Sequence, residues 1–203
     1  MRARGEGIGA QRAQRRALIE WARLAGKVRT FSYIEQFERV AEGAEHVVYH
    51  DPERGLAVKT THANRFGHST YVEGATATPL EYFQRLAWHN SLFGDDIRIE
   101  GVAHDESQIE VITTQPWINA DPSRSNPLQP EMDSHFSGMG FQKVELVPDV
   151  PLYFHEKLGL LVADAHDRNV LRNDQDGLTL IDVVVGAPGP DLLRRIQEKL
   201  NTT

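Results

Sequence analysis

Residues 160–171 read LLVADAHDRNVL, and this stretch decides the fold. An apolar run ends at Asp164 and another begins after Asn169, with Asp164, His166, Asp167 and Asn169 packed into six residues between them. The chain continues as NVLRNDQDGLTLIDVV, residues 169–184. That pattern predicts a β-hairpin with its turn at Asp176-Gly177, because Asp-Gly suits the positive φ angles of a tight turn. A further acid, Asp182, follows the apolar strand LTLI. In a hairpin the start of one strand faces the end of its neighbour, so Asp164, Asn169 and Asp182 can converge. One carboxylate and one amide oxygen suit Mg²⁺, a hard cation that keeps water and phosphate in its remaining positions. A separate carboxylate can then take a proton from a hydroxyl. The nine histidines are scattered, and no HExxH spacing or Cys ligand suggests zinc.

Upstream of this stretch the elements follow one another with clear punctuation. Residues of about 10–25 predict an amphipathic helix, with Leu18, Trp21, Ala22 and Ala25 as its apolar stripe. Residues 45–61 predict a hairpin, EHVVYH and GLAVKTT around the turn DPERG. Thr78, Pro79 and Glu81 supply an N-cap, a first-turn proline and a capping-box partner for a helix beginning there. Residues 97–103 and 107–114 predict two strands, and a proline-rich linker follows at 116–130. A short helix at 130–140, a strand at 141–147, weak helix at 153–162 and a closing helix DLLRRIQEKL complete the expectation. The order is α+β with a mainly antiparallel first lobe, without strict βαβ alternation.

Composition removes several chemistries. The chain has 203 residues, 22 Lys+Arg against 29 Asp+Glu, and no cysteine. Disulfide scaffolds, Fe–S clusters and thiol nucleophiles are therefore excluded. No apolar run reaches the length of a membrane span, so a soluble, cytoplasmic protein is expected. The charge is uneven: residues 1–30 carry +6 and the remainder −13. A basic helix with a solvated face explains that better than a nucleic-acid arm, since no aromatics interleave with the charges.

Lys59 ends the apolar strand LAVK. A lone lysine there is usually solvated. In series with the other elements it takes on more meaning. AEGAEHVV (41–48), LAVK (56–59), TPLEYF (78–83), DAHDRN (164–169) and LIDVV (180–184) together resemble the protein-kinase fold. More narrowly, the chain is similar to the minimal Ser/Thr/Tyr-kinase-like domain found in polyvalent proteins of phages and conjugative elements, from about residue 17 to 190.

The resemblance implies a minimal kinase-like fold in two lobes. After a basic helix at 1–30, an antiparallel N-lobe with one main helix would span 31–115 and bind nucleotide. A reduced C-lobe, 116–203, would carry the catalytic-loop hairpin. It implies ATP and Mg²⁺ as cofactors and γ-phosphate transfer to an unidentified hydroxyl acceptor. Lys59 would contact the α/β-phosphates and pair with a helix Glu, Glu81, unless Glu81 only caps its helix. Gly43 would belong to the phosphate loop, and the backbone from Val111 through Thr113 to Gln115 would meet adenine. Asp164 would be the catalytic base, Asn169 and Asp182 would hold Mg²⁺, and His166 would orient the loop. The phosphate loop keeps only Gly43 of three expected glycines, and Asp182-Val183-Val184 stands where the family has DFG. Few residues follow Asp182, which leaves no room for an activation segment. A nucleotide-binding pseudokinase, or a regulatory module acting through the basic helix, are the alternatives.

Overall fold

A computed structural model of the chain describes residues 2–71, 73–119, 126–147, 150–173 and 177–202. The expected Asp176-Gly177 turn lies partly, and the core of the 116–130 linker wholly, outside the described residues. The chain is mixed α+β and divides into two compact units. The first comprises Met1–His68, Thr76–Gln84 and Asp96–Trp117; the second comprises Ser69–Ala75, Arg85–Asp95 and Ile118–Thr203.

The first unit is built on a six-stranded sheet. Its strands are β1 (Val28–Arg29), β2 (Glu38–Glu42), β3 (His46–Asp51), β4 (Leu56–Thr61), β5 (Arg98–His104) and β6 (Ile109–Pro116), in the order β1-β5-β6-β4-β3-β2. All pairs are antiparallel except β1 with β5. Directly paired residues share a face of a sheet. One face therefore carries Tyr49, Val58 and Ile112, packed with Ala103 against Phe31, Tyr33, Ile34 and Phe37. Those last residues come from a 3-10 helix, Phe31–Gln36, and the residue after it. Tyr33 donates to Glu100 at 2.6 Å, and Arg54 bridges Glu100 and Asp51, pinning that cover to the sheet. The other face carries Lys59, Thr113, Val111 and Val48. At Gly101 a Cβ would sit 2.4 Å from Arg29 Cγ and 2.9 Å from Lys27 O, so only glycine lets β1 approach this closely.

Helix α1 (Arg2–Leu24) is longer than the periodicity predicts, and its apolar stripe is narrower. Leu18 and Ala22 are buried, whereas Trp21 and Ala25 are exposed. Arg15, on the same helix, donates to Asn64 Oδ1 at 3.1 Å and Asn64 O at 3.0 Å. The division between units falls inside helix α2 (Pro79–Phe93), after Gln84.

The second unit holds a four-stranded antiparallel sheet, β12-β9-β8-β7, from β7 (Gln142–Val147), β8 (Val150–His155), β9 (Leu160–Ala163) and β12 (Val184–Gly186). Helix α3 (Gln129–Gly138) supplies Met132 and Phe136 to one core, with Tyr153, Val162 and Val185. Helix α4 (Pro190–Leu200) supplies Ile196 to another, with Val144, Phe154 and Leu161. Burying each such side chain contributes about 1.5–3 kcal/mol. A separate hairpin joins β10 (Val170–Arg172) to β11 (Leu178–Leu180).

Two local expectations are corrected here. Residues 153–162, expected as weak helix, form the β8–β9 hairpin, with Phe154 paired to Leu161 and Gly159 at φ +63° in its turn. Their spacing of seven matches a helical period, but it arises from a four-residue turn, 156–159, between paired strand ends. The second correction concerns LTLIDVV, which is not one strand. β11 stops at Leu180, the chain bends through 181–183, and β12 pairs with β9 in a different sheet.

Candidate functional site

The second unit assembles the DAHDRN loop from its backbone outward. β9 delivers Asp164, whose φ of +57° turns the chain sharply out of the strand. Non-glycine residues rarely adopt that angle, though Asp and Asn tolerate it best. The loop then closes on itself: His166 N–H donates to Asp164 O at 3.1 Å, and the N–H groups of Asn169 and Val170 donate to His166 O. Asn169 Nδ2 donates to Asp164 O and to Asp164 Oδ2, both at 2.9 Å. Those two bonds use the amide nitrogen and fix the orientation in which Oδ1 is the acceptor atom. His166 Nδ1 accepts the Arg168 N–H, so a neutral ring carries its proton on Nε2, 3.5 Å from Asp164 Oδ1. The histidine is thus tied into the loop through both its backbone and its ring nitrogen.

The β10–β11 hairpin sets Asp182 beside this loop. Val170 pairs with Leu180, and the Ile181 N–H donates to Asn169 O at 2.9 Å. Asp182 is the next residue and is half-buried, while Val183 anchors the bend in the core. Asp164, Asn169 and Asp182 are thus brought into one short region of the second unit. Asn169 Oδ1 and the Asp182 carboxylate are hard oxygen donors, the chemistry that Mg²⁺ takes.

In the first unit Lys59 lies directly across from Thr113 on β6 and Val48 on β3, and is only 7% exposed. A solvated strand-end lysine is ruled out by that burial. Val111 shares the face and is fully buried, with its N–H donated to Thr61 Oγ1 at 3.0 Å. The β5 ladder ends at Arg98–Thr114, so β6 is paired on that side only up to Thr114. Glu81 completes the expected capping box: its Oε2 accepts the Thr78 N–H at 2.7 Å, and its own N–H donates to Thr78 Oγ1 at 3.2 Å. Gly43 lies in the tight β2–β3 turn, where its N–H donates to His46 O and its carbonyl accepts from His62 Nε2.

Three residues on the Lys59 side were not singled out by the sequence. Glu45, in the Gly43 turn, is buried and its Oε1 accepts the His68 N–H at 2.6 Å. His46 is buried against the fully buried Tyr82, with Nε2 3.1 Å from the hydroxyl. His50 stacks on Trp117. The period of two in HVVYH, which puts positions 46, 48 and 50 on one face, was the available signal for the two histidines.

A buried strand lysine, a helix-start glutamate and an Asp-loop-Asn closed beside a strand-end Asp define a kinase-like chain. The comparison with known families names it more closely. Residues 11–187 match the family model described as Serine/Threonine/Tyrosine Kinase found in polyvalent proteins, and the chain belongs to that family. No curated protein and no solved structure matches it. Among the described residues no helix is long and apolar enough to cross a membrane.

Proposed function

We propose that the chain is an ATP- and Mg²⁺-dependent phosphotransferase that moves the γ-phosphate to a hydroxyl acceptor. The supporting observation is the closed DAHDRN loop, in which Asn169 holds Asp164 by two hydrogen bonds and the hairpin sets Asp182 alongside. Phosphoryl transfer asks mainly for positioning and charge neutralisation, and this arrangement supplies positioned oxygens. In this reading the acceptor oxygen bonds to the γ-phosphorus as the bond to the β-phosphate oxygen breaks, ADP leaves, and Asp164 takes the hydroxyl proton. Asn169 Oδ1 and Asp182 hold Mg²⁺, which when bound offsets phosphate charge. Lys59 meets the α/β-phosphates and pairs with Glu81, and Gly43 lies in the turn above them. The first unit would be an N-lobe and the second a reduced C-lobe. Because the Val111 N–H is already bonded to Thr61 and β6 is paired with β5 up to Thr114, we assign the base to the Gln115 end of that stretch.

One observation favours a nucleotide-binding module without turnover. Glu45 places a buried carboxyl in the turn where phosphates would sit, and only Gly43 of that turn is a glycine. Thermal unfolding with millimolar ATP, with and without Mg²⁺, tests binding. Stabilisation of about 2.7 kcal/mol is expected near 100-fold saturation, and its loss in Lys59→Ala and Asp182→Asn. Absence of any shift in the wild type overturns the reading. For transfer, Asp164→Asn should keep the fold, since Asn accepts the positive φ, and lose activity by about 10²–10⁴-fold. A shift without transfer to any acceptor supports the module instead.

A further inference from the structure

We infer that the stacked pair His50–Trp117 recognises the nucleobase, an inference that rests on the nucleotide-binding reading above. The two rings lie 4.0 Å apart at 28°, and both side chains are half-buried, so the stack keeps solvent-accessible surface. Its position on the sheet gives it meaning. His50 pairs with Ala57, and Ala57 pairs with Gln115, so these three form one row across β3, β4 and β6. Val48, Lys59 and Thr113 form the next row on the same face. Two residues of strand separate the rows, a distance of about 7 Å. A ribose spans a similar gap between the phosphates and the base of a nucleotide.

The face thus carries a cation in one row and aromatic surface at the edge of the next. Ala57, buried in the same row as His50, contributes only a methyl group beside the stack. Trp117 follows two residues after Gln115, and its N–H donates to Gly55 O at 2.9 Å, which fixes the indole's backbone against the β3–β4 turn. An aromatic wall so held offers π-surface to any base, and a purine presents more area to it than a pyrimidine.

The test separates base from phosphate. Calorimetric titration of the full chain uses ATP and inorganic tripolyphosphate, which has no base or sugar. Trp117→Leu should weaken ATP roughly ten-fold while tripolyphosphate changes less than about two-fold, and Trp117→Phe should restore most of the loss. Lys59→Ala should weaken both probes. If Trp117→Leu leaves ATP within two-fold, or weakens both probes equally, the inference is overturned. Where tripolyphosphate is too weak to titrate, the ATP criterion decides alone. Should Trp117→Leu not fold, His50→Ala is judged by the same criteria. Failure of the wild type to bind ATP overturns the nucleotide reading itself, a result visible without any variant.

Discussion

Helices α2 and α3 begin with the same device and use it differently. At both, a glutamate three residues into the helix reaches back to an N–H: Glu81 Oε2 to Thr78 at 2.7 Å, and Glu131 Oε2 to Leu128 at 2.8 Å. Thr78 returns the favour through its hydroxyl. Leu128 has no side-chain acceptor, and the Glu131 N–H turns to its backbone carbonyl at 3.0 Å. The second oxygen of Glu131 is also in use, accepting Arg172 at 2.7 Å. So one carboxylate can cap a helix and hold a cation at once. A capping Glu81 therefore leaves room for a Glu81 paired with Lys59, because the cap engages Oε2 alone.

That parallel breaks or sharpens under four substitutions. The largest effect is expected from Glu81→Gln. Glutamine keeps the cap but loses the charge, and losing a charged hydrogen bond of 1.5–3 kcal/mol should lower transfer about ten- to hundred-fold with little change in melting temperature. Unchanged turnover would reduce Glu81 to a cap. Thr78→Ala removes the hydroxyl and should cost about 1 kcal/mol in urea titration. Leu128→Ser supplies the acceptor α3 lacks and should gain about 0.5–1 kcal/mol by the same measurement; a loss would mean that the leucine packs in some needed way.

Glu131→Gln should have the smallest effect, visible in acid. The Leu128 N–H, then Arg172, holds the Glu131 carboxyl below the ordinary glutamate range. A depressed folded-state value stabilises above the unfolded-state value and is lost as pH falls through the folded one. The wild type should therefore lose stability more steeply below about pH 4 than Glu131→Gln does, in melting curves taken from pH 6 to pH 3. Identical slopes would show that neither the Leu128 N–H nor the Arg172 contact contributes there.

Much of the local structure was legible in the sequence. Thr78-Pro79 with Glu81 announced a helix start, DPERG announced a turn, and D-x-x-x-x-N announced the loop that Asn169 closes. The 153–162 hairpin was not legible, because Phe154 and Leu161 fit a helical period and a cross-strand pair equally well. Nor was the bend at 181–183, since LTLIDVV has strand-forming residues throughout and nothing local says that β12 pairs with β9.

The sequence by itself determined the family, the DPERG turn and the Thr78–Glu81 cap, because each is set by residue types a few positions apart. The tertiary structure decided which residues share a face. It buried Lys59 opposite Thr113, set His50 in the neighbouring row with Trp117 stacked on its ring, and sent Val184 into a second sheet. Strand pairing is a non-local contact, fixed by packing between segments far apart in the chain, so no short stretch could have contained it.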